Sequence, residues 1–312
     1  MNDQDAVRFE AVTRRYGSQP AIDDLSFAVR RGEMFGLIGP DGAGKTTTIR
    51  LACGLLRPTR GAVRVLGHDP AAEHRAITHA VGYLSQRFSL YGDLTIDENI
   101  AFQAELHGVR QYGPERDRLL EMTQLTPFRK RRADQLSGGM KQKLALACTL
   151  VHEPAVLLLD EPTTGVDPVS RREFWKLLSE FLAGGLTIVM ATPYLDEAER
   201  CGRVALLHEG RLLALDDPAA LQSAFPGSLL EVVVDAERPP VDLLAAVPGV
   251  ADVQIFGDGA HVQVTGSADE AMRRVGDALG SRGMKPASLR QVPASLEDVF
   301  IELVTRGAGA RS

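Results

Sequence analysis

The chain has 312 residues, long for one domain and comfortable for two. With 44% hydrophobic and 24% charged residues it has the composition of a globular protein with a sizeable core. Its 41 acidic and 35 basic residues leave a formal net charge of −6, which excludes a dedicated nucleic-acid binder, because neutralising phosphates takes a basic face.

The first elements read as strands. Residues 7–16 and 25–33 are rich in alternating β-formers, with Gly17 and Gly32 as turn punctuation. Met34–Ile38 is an apolar strand that runs straight into GPDGAGKTT and a helix expected over 47–56. Residues 88–150 form a helix-rich stretch broken at Gly92, Gly108 and Pro114. The runs 155–159 and 186–191 are continuously apolar, which predicts strands buried on both faces of a parallel sheet covered by helices. A last short strand of this half, 204–207, turns at Glu209 and Gly210. The pattern changes near 225–228. Beyond it strands are expected at 229–235, 251–256, 261–265 and 286–292, with helices at 241–247 and 268–279. The order β-α-β-β-α-β is that of a ferredoxin-like α+β sandwich. A closing helix is expected from Ser295, an N-cap, with Leu296, Val299, Phe300, Leu303 and Val304 on one face. The expected domains are therefore 5–225, an α/β unit with a helical subdomain at about 88–150, and 228–306.

Cys53, Cys148 and Cys201 are odd in number and lack metal-ligand spacing, the pattern of free thiols in a reducing cytoplasm. The N-terminus has no apolar signal-peptide core. No apolar run approaches the roughly 20 residues of a membrane span, so a link to a membrane is expected to run through a partner.

Residues 39–46 read GPDGAGKT, matching G-x-x-x-x-G-K-[ST] between a strand and a helix. Backbone N–H groups of such a loop wrap phosphate oxygens, helped by the helix N-terminus. Gly39, Pro40, Asp41, Gly42, Ala43, Gly44, Lys45, Thr46 and Thr47 are the expected cradle for ATP. Lys45 would reach the β- and γ-phosphates, and the Thr46 hydroxyl would bind Mg²⁺. Asp160 and Glu161 follow a buried strand, at the end where α/β proteins bind ligands. Asp160 would hold Mg²⁺ through water and Glu161 would polarise the attacking water. LSGGMKQ at 136–142 opens a helix with Ser137 as N-cap. Two glycines let another molecule approach its backbone, which makes a second anion site at a helix N-terminus.

With these motifs in order, residues 5–225 resemble an ABC-transporter ATPase, a P-loop NTPase. The resemblance implies that Tyr16 stacks on adenine, that Gln86 senses Mg²⁺ and connects to the membrane partner, and that Asp167 touches the opposite subunit. It also implies a head-to-tail homo- or heterodimer, each ATP held between one chain's Lys45 and the other's Ser137, Gly138 and Gly139. The tail, ending PASLEDVFIEL, is similar to the C-terminal extension of daunorubicin-resistance-type export ATPases. Those pair with a separate permease of about six helices, and export drugs, lipids or polysaccharides. The implied place is the cytoplasmic face of a bacterial inner membrane, peripheral through the permease.

The sequence departs from the family twice. Met140 stands where glutamine is commoner, and Pro193 stands where a switch histidine is expected after the strand at 186–191. Proline offers no donor, and losing one preorganised donor costs on the order of a hundred- to a thousandfold in rate. His208 lies on the next strand, near a turn. An exporter motor is the primary expectation. A soluble ATPase acting on nucleic acid lacks its usual basic or zinc modules here. A regulatory subunit that binds ATP and hydrolyses it weakly is the alternative that Pro193 keeps open.

Overall fold

A computed structural model describes residues 5–86, 90–235 and 238–309. The chain divides into two compact units, the first running through Asp217 and the second starting at Pro218. The change of pattern expected at 225–228 lies later than this division.

In the first unit β1 (Asp5–Tyr16) and β2 (Gln19–Arg30) form an antiparallel hairpin. Phe9 opposes Phe27 across it with rings stacked at 4.7 Å, and Phe27 stacks in turn on Phe35, 5.4 Å away. Phe35 belongs to β3 (Met34–Ile38), which is buried throughout. Helix α1 (Lys45–Ala52) begins earlier than the expected 47 and stops before 56. A left-handed Gly44 starts it directly off the loop, and Gly54, also at positive φ, turns the chain after it. β4 (Arg60–Val65) pairs with the outer side of β1, making a three-stranded antiparallel sheet. After α2 (His74–Ala80) comes β5 (Val81–Leu84).

The helical region holds α3 (Ile96–Leu106), α4 (Gly113–Met122) and α5 (Gly138–Leu150). Thr95 and Glu98 close a reciprocal cap at the start of α3. Positions 88 and 89, where this region was expected to begin, and Arg87 before them lie outside the described residues. β6 (Val156–Asp160), α6 (Pro168–Ala183), β7 (Thr187–Thr192), α7 (Leu195–Ala198), β8 (Arg203–His208) and β9 (Arg211–Asp216) complete the unit. The large sheet runs in the order β5-β6-β7-β3-β8-β9, parallel except for β9, which pairs antiparallel with β8. The strand at 204–207 is thus not the last: β9 follows as a half-buried edge.

The second unit opens with α8 (Pro218–Ser223) and then alternates β10 (Ser228–Val234), α9 (Val241–Ala245), β11 (Val250–Phe256), β12 (Gly259–Val264), α10 (Ala268–Ser281) and β13 (Pro286–Val292). Its antiparallel sheet has the order β11-β12-β10-β13. That is the ferredoxin-like sandwich, with its own core around Leu230, Val232, Val262, Val275 and Leu279. The closing helix α11 (Leu296–Gly309) packs against α8, which is why the division falls before α8 rather than after it. Ser295 caps α11: its N–H and hydroxyl donate to Asp298, whose own N–H donates back to the Ser295 hydroxyl. The second carboxyl oxygen of Asp298 lies 2.8 Å from His261 Nδ1 on β12.

Candidate nucleotide site

The register of the large sheet aligns four carboxyl ends. Ile38 pairs with Thr192, Asp160 with Ala191 and Leu84 with Leu159, so the loops after β3, β7, β6 and β5 leave the sheet side by side. Such a row of loop ends is where open α/β sheets bind ligands.

The first loop carries the phosphate motif. Gly44 has φ +99, and a Cβ there would lie 2.7 Å from the Ala21 carbonyl oxygen on β2, so both conformation and space demand glycine. The turn aims Lys45 inward, where only 4% of its surface is accessible. Its ammonium donates to the carbonyls of Gly39 (2.8 Å) and Pro40 (3.0 Å), and lies 3.6 Å from Glu161 Oε1. At the next residue, the Thr46 hydroxyl donates to Asp160 Oδ1 at 2.8 Å. Burial pushes the Asp160 carboxyl above the ordinary carboxylate range, and the Thr46 hydrogen bond opposes that shift. Hydroxyl and carboxylate oxygens are hard donors suited to Mg²⁺, which usually keeps several waters beside one or two such ligands. The residues fit the ion.

Glu161 has left-handed backbone, φ +51, with its N–H donated to Ala191 O at 2.8 Å. A non-glycine residue in that region stores on the order of 1–3 kcal/mol of strain that the surroundings must hold. Gln86 Nε2, from the loop after β5, donates to Glu161 Oε2 at 3.0 Å, and the Thr164 hydroxyl donates to the same oxygen at 3.4 Å. Lysine, amide and hydroxyl thus converge on one carboxyl.

Ser137 caps α5, its hydroxyl accepting from Met140 N–H at 3.3 Å. The two glycines differ. A Cβ on Gly138 would meet nothing within 4 Å, whereas one on Gly139 would stand 2.2 Å from Ser170 Oγ. Gly139 is therefore held to glycine from within the chain, by Ser170 of α6, whereas no neighbour in the chain makes that demand of Gly138. Asp167 caps α6, accepting from Val169 N–H (3.1 Å) and Ser170 N–H (3.0 Å); those bonds hold its carboxyl below the usual range.

Tyr16 ends β1, half exposed, with the Arg14 guanidinium 4.9 Å from its ring centroid. Pro193 directly follows β7 in the row of loop ends, and His208 ends β8, pairing with Arg211 across the turn to β9. Three contributors escape a reading by motif. Gln142 on α5 donates to the Pro162 carbonyl, and Thr163 and Thr192 donate to Glu197. The traces in the sequence are the glutamine that closes LSGGMKQ, Thr-Thr after Asp-Glu-Pro and an acid four residues past Pro193, none of which announces its partner.

Comparison with known proteins agrees with this geometry. The family described as "ABC transporter" matches residues 22–164. The one described as "ATP-binding protein DrrA1-3-like, C-terminal domain" matches 217–304. The chain is 41% identical over 315 residues to the probable multidrug ABC transporter ATP-binding protein YbhF of Escherichia coli (strain K12). That alignment covers 99% of this chain and 53% of the relative, so the chain spans about half that protein's length. It is 36% identical over 305 residues to the daunorubicin resistance ATP-binding protein DrrA2 of Streptomyces coeruleorubidus, covering 96% of this chain and 94% of that one. Among solved structures, an ATP-binding subunit of an ABC transporter superposes with TM-score 0.63 and 31% identity over 70% of this chain and 92% of that one. The dimeric structure of a bacterial ABC transporter cassette gives 0.61 and 25% over 68% and 98%.

Proposed function

The chain belongs to the ABC transporter ATP-binding proteins, and from that premise we propose that it binds and hydrolyses ATP to drive export through a separate membrane permease. One observation carries the reading: Lys45, Thr46, Asp160, Glu161 and Gln86 meet at adjoining strand ends. In this reading the loop from Gly39 to Thr47 wraps the phosphates, and Lys45 exchanges its carbonyl partners for the β- and γ-phosphates. Thr46 and Asp160, with Gln86, would hold Mg²⁺, which supplies charge neutralisation of the phosphate oxygens. Glu161 orients the attacking water, and Gln86 holds the Glu161 carboxyl in place. Tyr16 offers its ring to adenine in exchange for Arg14.

The N-terminus of α5, at Ser137, Gly138 and Gly139, is left for the phosphates bound by a second ATP-binding subunit, the same or a different one. The dimeric cassette among the solved structures supports that pairing. Among the described residues no helix is long and apolar enough to cross a membrane. The membrane passage belongs in this reading to a permease of about six helices, with this chain on the cytoplasmic face of a bacterial inner membrane. The relatives' names, multidrug and daunorubicin resistance, support a drug-like cargo; a lipid or polysaccharide is the other cargo class that the resemblance of the tail implies.

Glu161→Gln tests the assignment. The amide keeps the shape, binds ATP and cannot direct water, so Mg-ATP should trap a dimer visible by size-exclusion chromatography while turnover drops to background. A variant that stays monomeric and hydrolyses at the wild-type rate removes Glu161 from its role.

A further inference from the structure

Glu197 on α7 is completely buried, although its neighbour Asp196 is exposed. Burying a carboxyl is unfavourable unless it is hydrogen-bonded. This one is satisfied from three directions. Its Oε1 accepts from the Thr163 hydroxyl at 2.6 Å and from Trp175 Nε1 at 3.4 Å, and its Oε2 accepts from the Thr192 hydroxyl at 2.7 Å. Arg171 Nε, buried without a hydrogen-bond partner, stands 3.9 Å from Oε1.

The positions of the donors give the arrangement its meaning. Thr163 lies two residues past Glu161 and Thr192 one residue before Pro193, so a single side chain joins the loops after β6 and β7. The Thr192 hydroxyl also accepts from Tyr194 N–H at 3.1 Å, which brackets Pro193 from both sides. Glu161 itself is strained, at φ +51, and strain of that kind persists only where neighbouring structure over-determines it. None of these bonds reaches Lys45 or the phosphate loop.

We propose that Glu197 is a positioning residue for hydrolysis: through Thr163 and Thr192 it fixes the loop that aims Glu161, so turnover depends on it and nucleotide binding does not. This rests on the assignment of Glu161 as the water-orienting group. Position 193 supplies no donor here, which leaves the aim of Glu161 with more of the catalytic burden.

The test uses two substitutions of Thr163 in the full chain, with ATP affinity by calorimetric titration, steady-state kcat and thermal melting measured for each. Thr163→Val keeps the shape and deletes the donor; Thr163→Ser keeps the donor. The expected result is a kcat about tenfold lower or more for Val, ATP affinity within about twofold of wild type, and recovery of most of kcat in Ser. Unchanged kcat in Thr163→Val overturns the inference, as does a Ser variant as slow as Val, or loss of ATP binding in step with turnover. Wild-type turnover in the same assay separates the two ideas. A wild type that binds ATP without hydrolysing it overturns the hydrolysis reading and this inference with it. Wild-type turnover that Thr163→Val leaves intact overturns the inference alone.

Discussion

Proline at 193 puts a ring without a donor into the row of loop ends that carries Lys45, Asp160 and Glu161. If both sites of a paired motor are built this way, the isolated chain hydrolyses slowly. Pro193→His should raise steady-state turnover, and a tenfold gain corresponds to about 1.4 kcal/mol of transition-state stabilisation. The bracketing bond from Tyr194 N–H to Thr192 keeps the turn in place once proline's fixed φ is gone. A wild type already as fast as ordinary transporter ATPases would show that another group supplies the contact. At this scale the sequence is informative where one short motif holds all the partners, as in residues 39–47. It is silent where partners are far apart. Nothing near Gly139 announces Ser170, and nothing near Thr163 announces Glu197, because those needs arise from packing between elements.

At the scale of elements, the residue just past α3 and the second residue past α5 are joined by two stacked imidazoles. His107 and His152 lie with ring centroids 3.8 Å apart and planes 4° from parallel. Burial pushes both below the ordinary histidine range, with the neighbouring ring opposing protonation further in His152, which is brought down to about 4. The unfolded chain therefore takes up protons that the folded stack refuses. The stability contributed by this stack is complete above about pH 6.5, the ordinary histidine value, and declines from there toward about 4. Thermal melts across that window should show a falling midpoint, and His152→Phe, which keeps an aromatic ring on His107, should flatten the decline. An identical pH profile in that variant would assign the acid sensitivity to other groups. Elements were legible in proportion to their burial. β3, β6 and β7 are apolar on both faces and stand out. β9 is half-buried along an edge, and β5 has four residues, so neither carries a periodicity that separates it from a loop.

For the whole molecule, all residues assigned to phosphate and magnesium lie in the unit that runs through Asp217, and the second unit has a separate core. A chain ending at Asp217 should bind ATP with affinity close to that of the full chain by titration. Loss of binding in a truncated protein whose circular dichroism shows the first unit folded would overturn that independence. The strand order has a consequence for biosynthesis. β3 emerges early from the ribosome, but both of its hydrogen-bonding neighbours, β7 and β8, come from residues 187–208. A nascent chain therefore carries a fully apolar strand with two unpaired edges through most of the first unit's translation. The phosphate loop behind it gains its frame only when those late strands arrive, so nucleotide can help this protein fold only at the end of that unit's synthesis.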